Sequence, residues 1–113
     1  MEDFKKKVAL VSGGGRGIGA AIARKLALLG ASTIICGRNT AELEQTANAI
    51  QAEHGRCETV QCDVTDWNSL SKLAGRLQQN FRRLDILVNN AGIGGFGGPL
   101  HTLPIEKWDA ILN

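Results

Sequence analysis

Short apolar runs alternate along this chain with longer stretches in which apolar residues recur at helical spacing. The short runs are residues 8–12 (VALVS), 32–36 (STIIC), 58–62 (ETVQC) and 85–89 (DILVN). The first, second and fourth are nearly continuous in apolar residues, the pattern of strands covered on both faces. The third is mixed, which suits a place nearer a sheet edge. Helices are predicted between them. Ile18, Ala21, Ile22, Leu26 and Leu29 share one face of a helix over 18–29, with Gly30 as its stop. Leu43, Ala47 and Ile50 form the stripe of a second helix over 40–54. Asn39 and Glu42 have capping-box spacing there, and Gly55 is its stop. Trp67, Leu70, Leu73, Ala74 and Leu77 give the apolar face of a third helix over 66–81. A fourth begins near Pro104, a residue tolerated in a first turn. It carries Ile105, Trp108, Ala110, Ile111 and Leu112.

Strand and helix therefore alternate four times. Such alternation predicts an α/β fold with a parallel sheet and right-handed crossovers. The expected strand order is 3-2-1-4, the first half of a doubly wound sheet and a little more. A chain of 113 residues, 43% hydrophobic, makes one domain at most and can bury a core. The sequence stops at Asn113 inside an apolar helix with no cap. The fourth strand would be left as an unpaired apolar edge. Both features predict a domain cut short after its fourth strand and following helix.

Composition narrows the function. The net charge of +2, from 13 basic and 11 acidic residues, argues against a nucleic-acid-binding face. Lys5-Lys6-Lys7 reads as a solvated lead-in to the first strand. The acidic start Met1-Glu2-Asp3 is not a signal peptide, and no apolar run approaches membrane-spanning length. Cys36, Cys57 and Cys62 are odd in number and form no CxxC. Reduced thiols in a cytoplasmic protein fit better than a disulfide framework. Cys57 and Cys62 could pair or bind metal, but no further ligand stands at zinc-site spacing. His54, near a helix end, suits the helix dipole better than a metal, and no metal is expected.

The 14 glycines cluster at 13–19 and 92–98. The first cluster, Ser12-Gly13-Gly14-Gly15-Arg16-Gly17-Ile18-Gly19, lies between the first strand and the first helix. A glycine-rich turn there lets backbone N–H groups reach a phosphate, and the helix N-terminus adds partial positive charge. A P-loop would need Gly-Lys-Ser/Thr, and an ordinary dinucleotide GxGxxG has a different spacing. A methyltransferase would carry an acidic residue after the second strand, where this chain has Gly37-Arg38. A guanidinium at that point suits a 2′-phosphate on the adenosine ribose.

The spacing [ST]-G-x-x-x-G-x-G resembles the short-chain dehydrogenase/reductase family. Asp63-Val64 after the third strand and Asn89-Asn90-Ala91-Gly92 after the fourth agree with it in order and context. The resemblance runs from Lys7 to Asn113. Its nearest look is to 3-oxoacyl-acyl-carrier-protein reductase-like, NADPH-dependent members. It implies a Rossmann-type domain with NADP(H) as coenzyme. Gly13 would permit the sharp exit from the strand. Gly15 and Ile18 would belong to the phosphate cradle, and Gly17 and Gly19 would let the backbone approach the pyrophosphate and the helix pack close to the sheet. Arg16 and Arg38 would flank the 2′-phosphate. Asp63 would accept from the adenine amino group, and Val64 would pack on its ring. Asn90, Ala91 and Gly92 would pass beneath the adenosine ribose, while Asn89 pins the central strand. Residues 92–98 would form a loop near nicotinamide or substrate.

The resemblance also implies a Tyr-x-x-x-Lys pair and a serine for proton transfer. The chain has no tyrosine at all, and Lys107 has none four positions before it. No catalytic residue is therefore assigned. Asn113 reads as an ordinary helix residue. The expectation is the cofactor-binding part of an oxidoreductase that exchanges hydride with a small carbonyl or alcohol substrate. The full-length protein would be a homo-oligomer without nucleic-acid or membrane partners. The isolated chain would bind coenzyme weakly or not at all and would lack reductase activity. A non-catalytic nucleotide-sensing or interaction module on the same fold is the alternative. A methyltransferase is a remoter one.

Overall fold

Val8–Ser12 forms β1, and all five of its residues are buried. A strand with no polar face needs cover on both sides. The computed structural model describes residues 4–15, 17–63, 66–81 and 83–89. After β1 come α1 (Gly17–Leu28), β2 (Ser32–Gly37), α2 (Thr40–Ala52), β3 (Arg56–Gln61), α3 (Trp67–Asn80) and β4 (Ile86–Asn89). All three strand pairings are parallel, and the order is β3-β2-β1-β4. This is the predicted topology, with the mixed third strand at an edge. The helix expected from Pro104 lies outside the described residues.

The two faces of the sheet carry separate cores. Val8 and Leu10 of β1, Ile34 and Cys36 of β2, and Cys62 pack against Leu70, Leu73, Ala74 and Leu77 of α3. On the opposite face Val11, Ile35 and Cys57 pack against Ala23 and Ala27 of α1 and Leu43, Ala47 and Ile50 of α2. Each large side chain buried in this way contributes about 1.5–3 kcal/mol. With α1 and α2 on one face and α3 on the other, the sheet is doubly wound. The chain reverses direction across the sheet between β1 and β4.

The buried face of α1 differs from the predicted one. Gly19, Ala23 and Ala27 are its buried residues, with Ile22 and Leu26 packed at their flanks. Ile18 and Leu28 are 64% and 58% exposed, and Ala21 is exposed. Small residues four apart form a smooth seam, so the helix can lie close to the strands and its larger side chains move to the sides. Trp67 is also corrected: it is 55% exposed, ahead of the buried turns of α3. The cap of α2 follows the sequence, whereas Asp66, expected inside the third helix, caps α3 instead. Asn39 Oδ1 accepts from the main-chain N–H of Glu42 at 3.1 Å, and Asp66 accepts from that of Asn68 at 3.2 Å.

Two boundaries move for local reasons. β3 starts at Arg56 because its backbone pairs with β2 from Ser32↔Arg56 to Gly37↔Gln61, a pairing that an exposed arginine does not announce. The left-handed residue after α2 is His54, at φ 67°, not Gly55. Gly55 is needed for space instead. A Cβ there would stand 2.7 Å from Cγ2 of Ile50 and 3.1 Å from Cβ of Ala27. β4 is less covered than its apolar run predicts, with Leu87 39% exposed. Among the described residues it has a strand neighbour on one side only.

Asp85 fastens β4 to β1. Its Oδ2 accepts from the main-chain N–H of Val8 at 2.8 Å, and its own N–H donates to the Val8 carbonyl at 2.9 Å. Arg83 grips the same carboxylate through two bonds, at 2.7 and 2.9 Å. The Arg83 guanidinium, helped by the Val8 N–H, holds the Asp85 carboxyl below the usual carboxylate range. Asp85→Ala leaves the Val8 N–H without its side-chain acceptor and is expected to cost about 1–3 kcal/mol in denaturant melts. A depressed carboxyl stabilises the fold above its unfolded pKa, near ~4, and the benefit is lost as pH falls through the lower folded value. The parent protein should therefore lose more stability than the variant between about pH 5 and 2.

Candidate functional site

The carboxyl ends of all four strands lie along one edge of the sheet, where open α/β sheets bind their ligands. The turn after β1 is fixed mainly by its own backbone. Gly13 leaves the strand at φ 69°, and its N–H donates to the Cys36 carbonyl of β2 at 2.8 Å. Gly14 is buried against Ile35. The Gly15 carbonyl accepts from the Thr46 hydroxyl of α2 at 3.1 Å. A Cβ on Gly15 would meet Cβ of Glu42 at 2.9 Å. The turn thus lies flat on β2 and α2, with no side chain of its own over residues 13–15.

Gly17 then opens α1 at φ 62°, and nothing lies within 4 Å of where its Cβ would be. The first turn of α1 contains no acidic residue, whereas that of α2 contains Glu42. The positive end of the α1 dipole therefore meets no carboxylate from its own first turn. Such a surface, main-chain amides beside an open helix N-terminus, can hold an anion.

Arg38 and Asp63 follow β2 and β3, and the fold brings them into one cleft. That cleft, of about 390 Å³, is lined by Arg38, Val60, Gln61, Cys62, Asp63, Ser69, Lys72, Leu73 and Arg76. Gln61 steadies the loop by donating from Nε2 to the Arg38 carbonyl at 3.2 Å. The Asp63 carbonyl accepts from the Asp66 N–H at 3.0 Å, at the entry to α3. Arg76 pairs with Glu58 at 3.3 Å. A lining that joins polar and charged groups to apolar Val60 and Leu73 suits a flat heterocycle with a charged substituent.

Of the residues singled out from sequence, Gly13, Gly15, Gly17, Ile18 and Gly19 stand in or beside the turn. Arg38 and Asp63 share the cleft. Arg16, Val64, Asn90, Ala91 and Gly92 lie outside the described residues. Thr46, Gln61 and Lys72 were not foreseen, because a polar residue on a helix or at a strand end has no periodic signature. The three thiols are free, as expected. Cys57 and Cys62 belong to cores on opposite faces of the sheet, so they cannot meet across the strand. Cys62 instead shares its core with Cys36; the neighbouring Cys36 thiol holds Cys62 below the usual thiol range, and Cys62 together with burial drives Cys36 above it. Burial also pushes Cys57 up. Among the described residues no group of three or more His, Cys, Asp or Glu is placed to hold a metal. No helix among them is long and apolar enough to cross a membrane.

Comparison with known proteins agrees with this geometry. The 3-oxoacyl-[acyl-carrier-protein] reductase of rhamnolipid biosynthesis in Pseudomonas aeruginosa is 38% identical over 107 residues, covering 95% of this chain and 41% of that protein. Cis-4-hydroxycyclohexanecarboxylate dehydrogenase of Sinomonas cyclohexanicum is 40% identical over 112 residues, covering 99% and 45%. The chain thus spans less than half the length of these relatives. A metagenomic short-chain oxidoreductase solved in complex with NADP superposes with a TM-score of 0.78 at 43% identity, over 95% of this chain and 48% of that one. The RhlG/NADP active-site complex of Pseudomonas aeruginosa superposes with a TM-score of 0.72 at 36% identity, over 95% and 39%. The family model for short chain dehydrogenase matches residues 7–113, and the chain belongs to that family.

Proposed function

We propose that this chain is the NADP(H)-binding part of an oxidoreductase acting on a small carbonyl or alcohol substrate. One observation carries the reading. The side-chain-free turn Gly13–Gly15 is pinned to β2 at the point where strand order reverses, and Arg38 and Asp63 stand at the next two strand ends. The relatives solved with NADP support the choice of coenzyme.

The residues present fit that group. A Cβ at Gly14 or Gly15 would be built into neighbouring atoms, so the turn stays bare; the Gly13 and Gly14 N–H groups go to the Cys36 carbonyl, and the amides from Gly15 into the start of α1 are the ones left to face a diphosphate. The N-terminus of α1 adds its dipole to them. Arg38 supplies a fixed positive charge with planar donors, matched to a phosphate monoester. Arg16 belongs with it in this reading. Asp63 accepts a hydrogen bond from the adenine amino group, and Val64 packs on the ring. Asn90, Ala91 and Gly92 run beneath the adenosine ribose. The coenzyme, when bound, supplies the hydride; the chain supplies position and electrostatics.

Proton transfer belongs to groups that these 113 residues do not include. The sequence has no tyrosine, and the Tyr-x-x-x-Lys pair of the resembled enzymes is not among its motifs. The isolated chain is therefore inactive in this proposal, and substrate choice and subunit assembly lie with the rest of a longer polypeptide. Titration of the full polypeptide with 2′,5′-ADP and with 5′-ADP tests the reading without turnover. The 2′-phosphate should improve affinity by about ten- to a hundredfold, the range of one or two charge-assisted hydrogen bonds. Equal affinity for the two nucleotides would remove the NADP(H) assignment.

A further inference from the structure

Among the described residues three that carry a hydroxyl are buried: Ser12, Thr33 and Thr46. Two of them tie strand to strand. Ser12 Oγ donates to the Val88 carbonyl at 3.3 Å, and Thr33 Oγ1 donates to the Arg56 carbonyl. Thr46 differs. It lies within α2, where a threonine can return its proton to the carbonyl four residues back. Its single proton goes instead to the Gly15 carbonyl, at 3.1 Å. The bond joins a helix to the glycine turn.

The turn has a use for such a partner at this point. Its start is fixed by the Gly13 and Gly14 N–H groups, which donate to the Cys36 carbonyl at 2.8 and 3.4 Å. Beyond them Gly15 has no side chain to limit its backbone, and a glycine peptide turns over readily. α2 is a firm base from which to hold it. Leu43, Ala47 and Ile50 seat that helix in the core. The turn already lies close, since a Cβ on Gly15 would meet Cβ of Glu42 at 2.9 Å. Orientation follows from peptide geometry. In a planar trans peptide the N–H points opposite to the C=O. A Gly15 carbonyl held toward α2 therefore turns the N–H of the same peptide unit away from α2.

We propose that Thr46 is a positioning residue for the coenzyme: its hydroxyl sets the Gly15 peptide so that the following amide meets the diphosphate. The proposal rests on the coenzyme reading above. Thr46 acts through the Gly15 carbonyl, not by contact with the ligand. Without the hydroxyl the peptide is free to rotate, and binding has to order it. An amide already set spares the ligand that ordering. Recognition of the 2′-phosphate stands apart, because Arg38 follows β2 and its carbonyl is held by Gln61.

The test titrates the full polypeptide with NADPH, with 5′-ADP, which carries the diphosphate alone, and with adenosine 2′-monophosphate, which carries only the 2′-phosphate. Circular dichroism sets a temperature at which every variant is folded. Thr46→Val keeps the shape of the side chain and removes the hydroxyl, whereas Thr46→Ser keeps the hydroxyl. Thr46→Val should bind NADPH and 5′-ADP about three- to tenfold more weakly, the range of one hydrogen bond. Its affinity for adenosine 2′-monophosphate should stay within about twofold of the parent's, as independent sites do. Thr46→Ser should bring 5′-ADP affinity back to within about twofold. Equal 5′-ADP affinity in the parent and Thr46→Val overturns the proposal. So does a loss shared equally by all the ligands, or one that Thr46→Ser does not repair. If Thr46→Val does not fold, Thr46→Ala takes its place; if neither folds, the hydroxyl supports the fold and the positioning role is overturned. A parent that binds none of these ligands would instead remove the coenzyme reading, and the proposal with it.

Discussion

Gly14→Ala is expected to cost about 3 kcal/mol of stability, near the upper end for overpacking a core. The reason is distance. A Cβ on Gly14 would lie 2.6 Å from Cβ and 2.7 Å from Cγ2 of Ile35, with the Val11 carbonyl at 3.3 Å. Ile35 cannot yield. It is a β-branched residue in the middle of β2, 0% exposed, and its Cβ is fixed by the strand. The turn must therefore lift from β2 or the strand must shift. Lifting would also strain the bond from the Gly13 N–H to the Cys36 carbonyl. Gly17→Ala is the matched control. No atom is within 4 Å of its ideal Cβ, and only the φ of +62° opposes a side chain, a cost of about 1–2 kcal/mol. Denaturant melts of the two variants should rank them in that order, with Gly14→Ala losing roughly 10 °C or more in Tm. If Gly14→Ala is as stable as Gly17→Ala, the turn is not seated on β2 as described.

That comparison shows which parts of the fold were legible beforehand. Strand order followed from alternation, because parallel strands need crossovers and crossovers have one hand. Strands of continuous apolar residues predicted a sheet with two covered faces, and the two cores confirm it for β1 and β2. The face of α1 was misjudged because hydropathy weighs size. Ile18 and Ala21 looked like core residues, yet the seam is Gly19, Ala23 and Ala27. The close packing expected of the third glycine of the motif continues along the helix through two alanines that hydropathy does not single out. The same blindness moved the start of β3. Arg56 contributes only backbone to the sheet, and backbone pairing leaves no mark on side-chain polarity.

The site divides along similar lines. The glycine turn was legible because only glycine meets its steric demands, and the places of Arg38 and Asp63 were legible because each follows the end of an apolar strand. Their meeting in one cleft depends on β2 and β3 being neighbours in register, which the predicted order already contained. The supports were not legible. Thr46 holds the Gly15 carbonyl from a helix thirty-one positions away in sequence, and Gln61 holds the Arg38 carbonyl across twenty-three. Each is a single polar residue whose partner is defined only by the fold. The thiols illustrate the point most directly. Closeness in sequence left a Cys57–Cys62 pair open, but an odd separation along the chain puts the two on opposite faces. Cys62 shares its core with Cys36 of the neighbouring strand.

Arg38→Asp is expected to reverse the coenzyme preference of the full polypeptide. In the proposed geometry the Arg38 guanidinium meets the 2′-phosphate, and a hydrogen bond to a charged group contributes about 1.5–3 kcal/mol net. Its loss alone lowers NADPH affinity by roughly ten- to a hundredfold. A carboxylate in its place adds repulsion against the phosphate while offering an acceptor to a ribose 2′-hydroxyl. NADH binding should therefore hold or improve while NADPH binding collapses. Arg38→Gln separates the two effects, because it removes the charge without adding repulsion and should fall between them. Folding should not confuse the result. Arg38 is exposed, and its tie to Gln61 runs through the main-chain carbonyl, which every variant keeps. Salt gives an independent check. Screening at high ionic strength should narrow the NADPH advantage of the parent and leave NADH affinity nearly unchanged. If Arg38→Asp keeps the parent preference, the phosphate is held elsewhere, and the cleft between β2, β3 and α3 does not receive the adenosine end of the coenzyme.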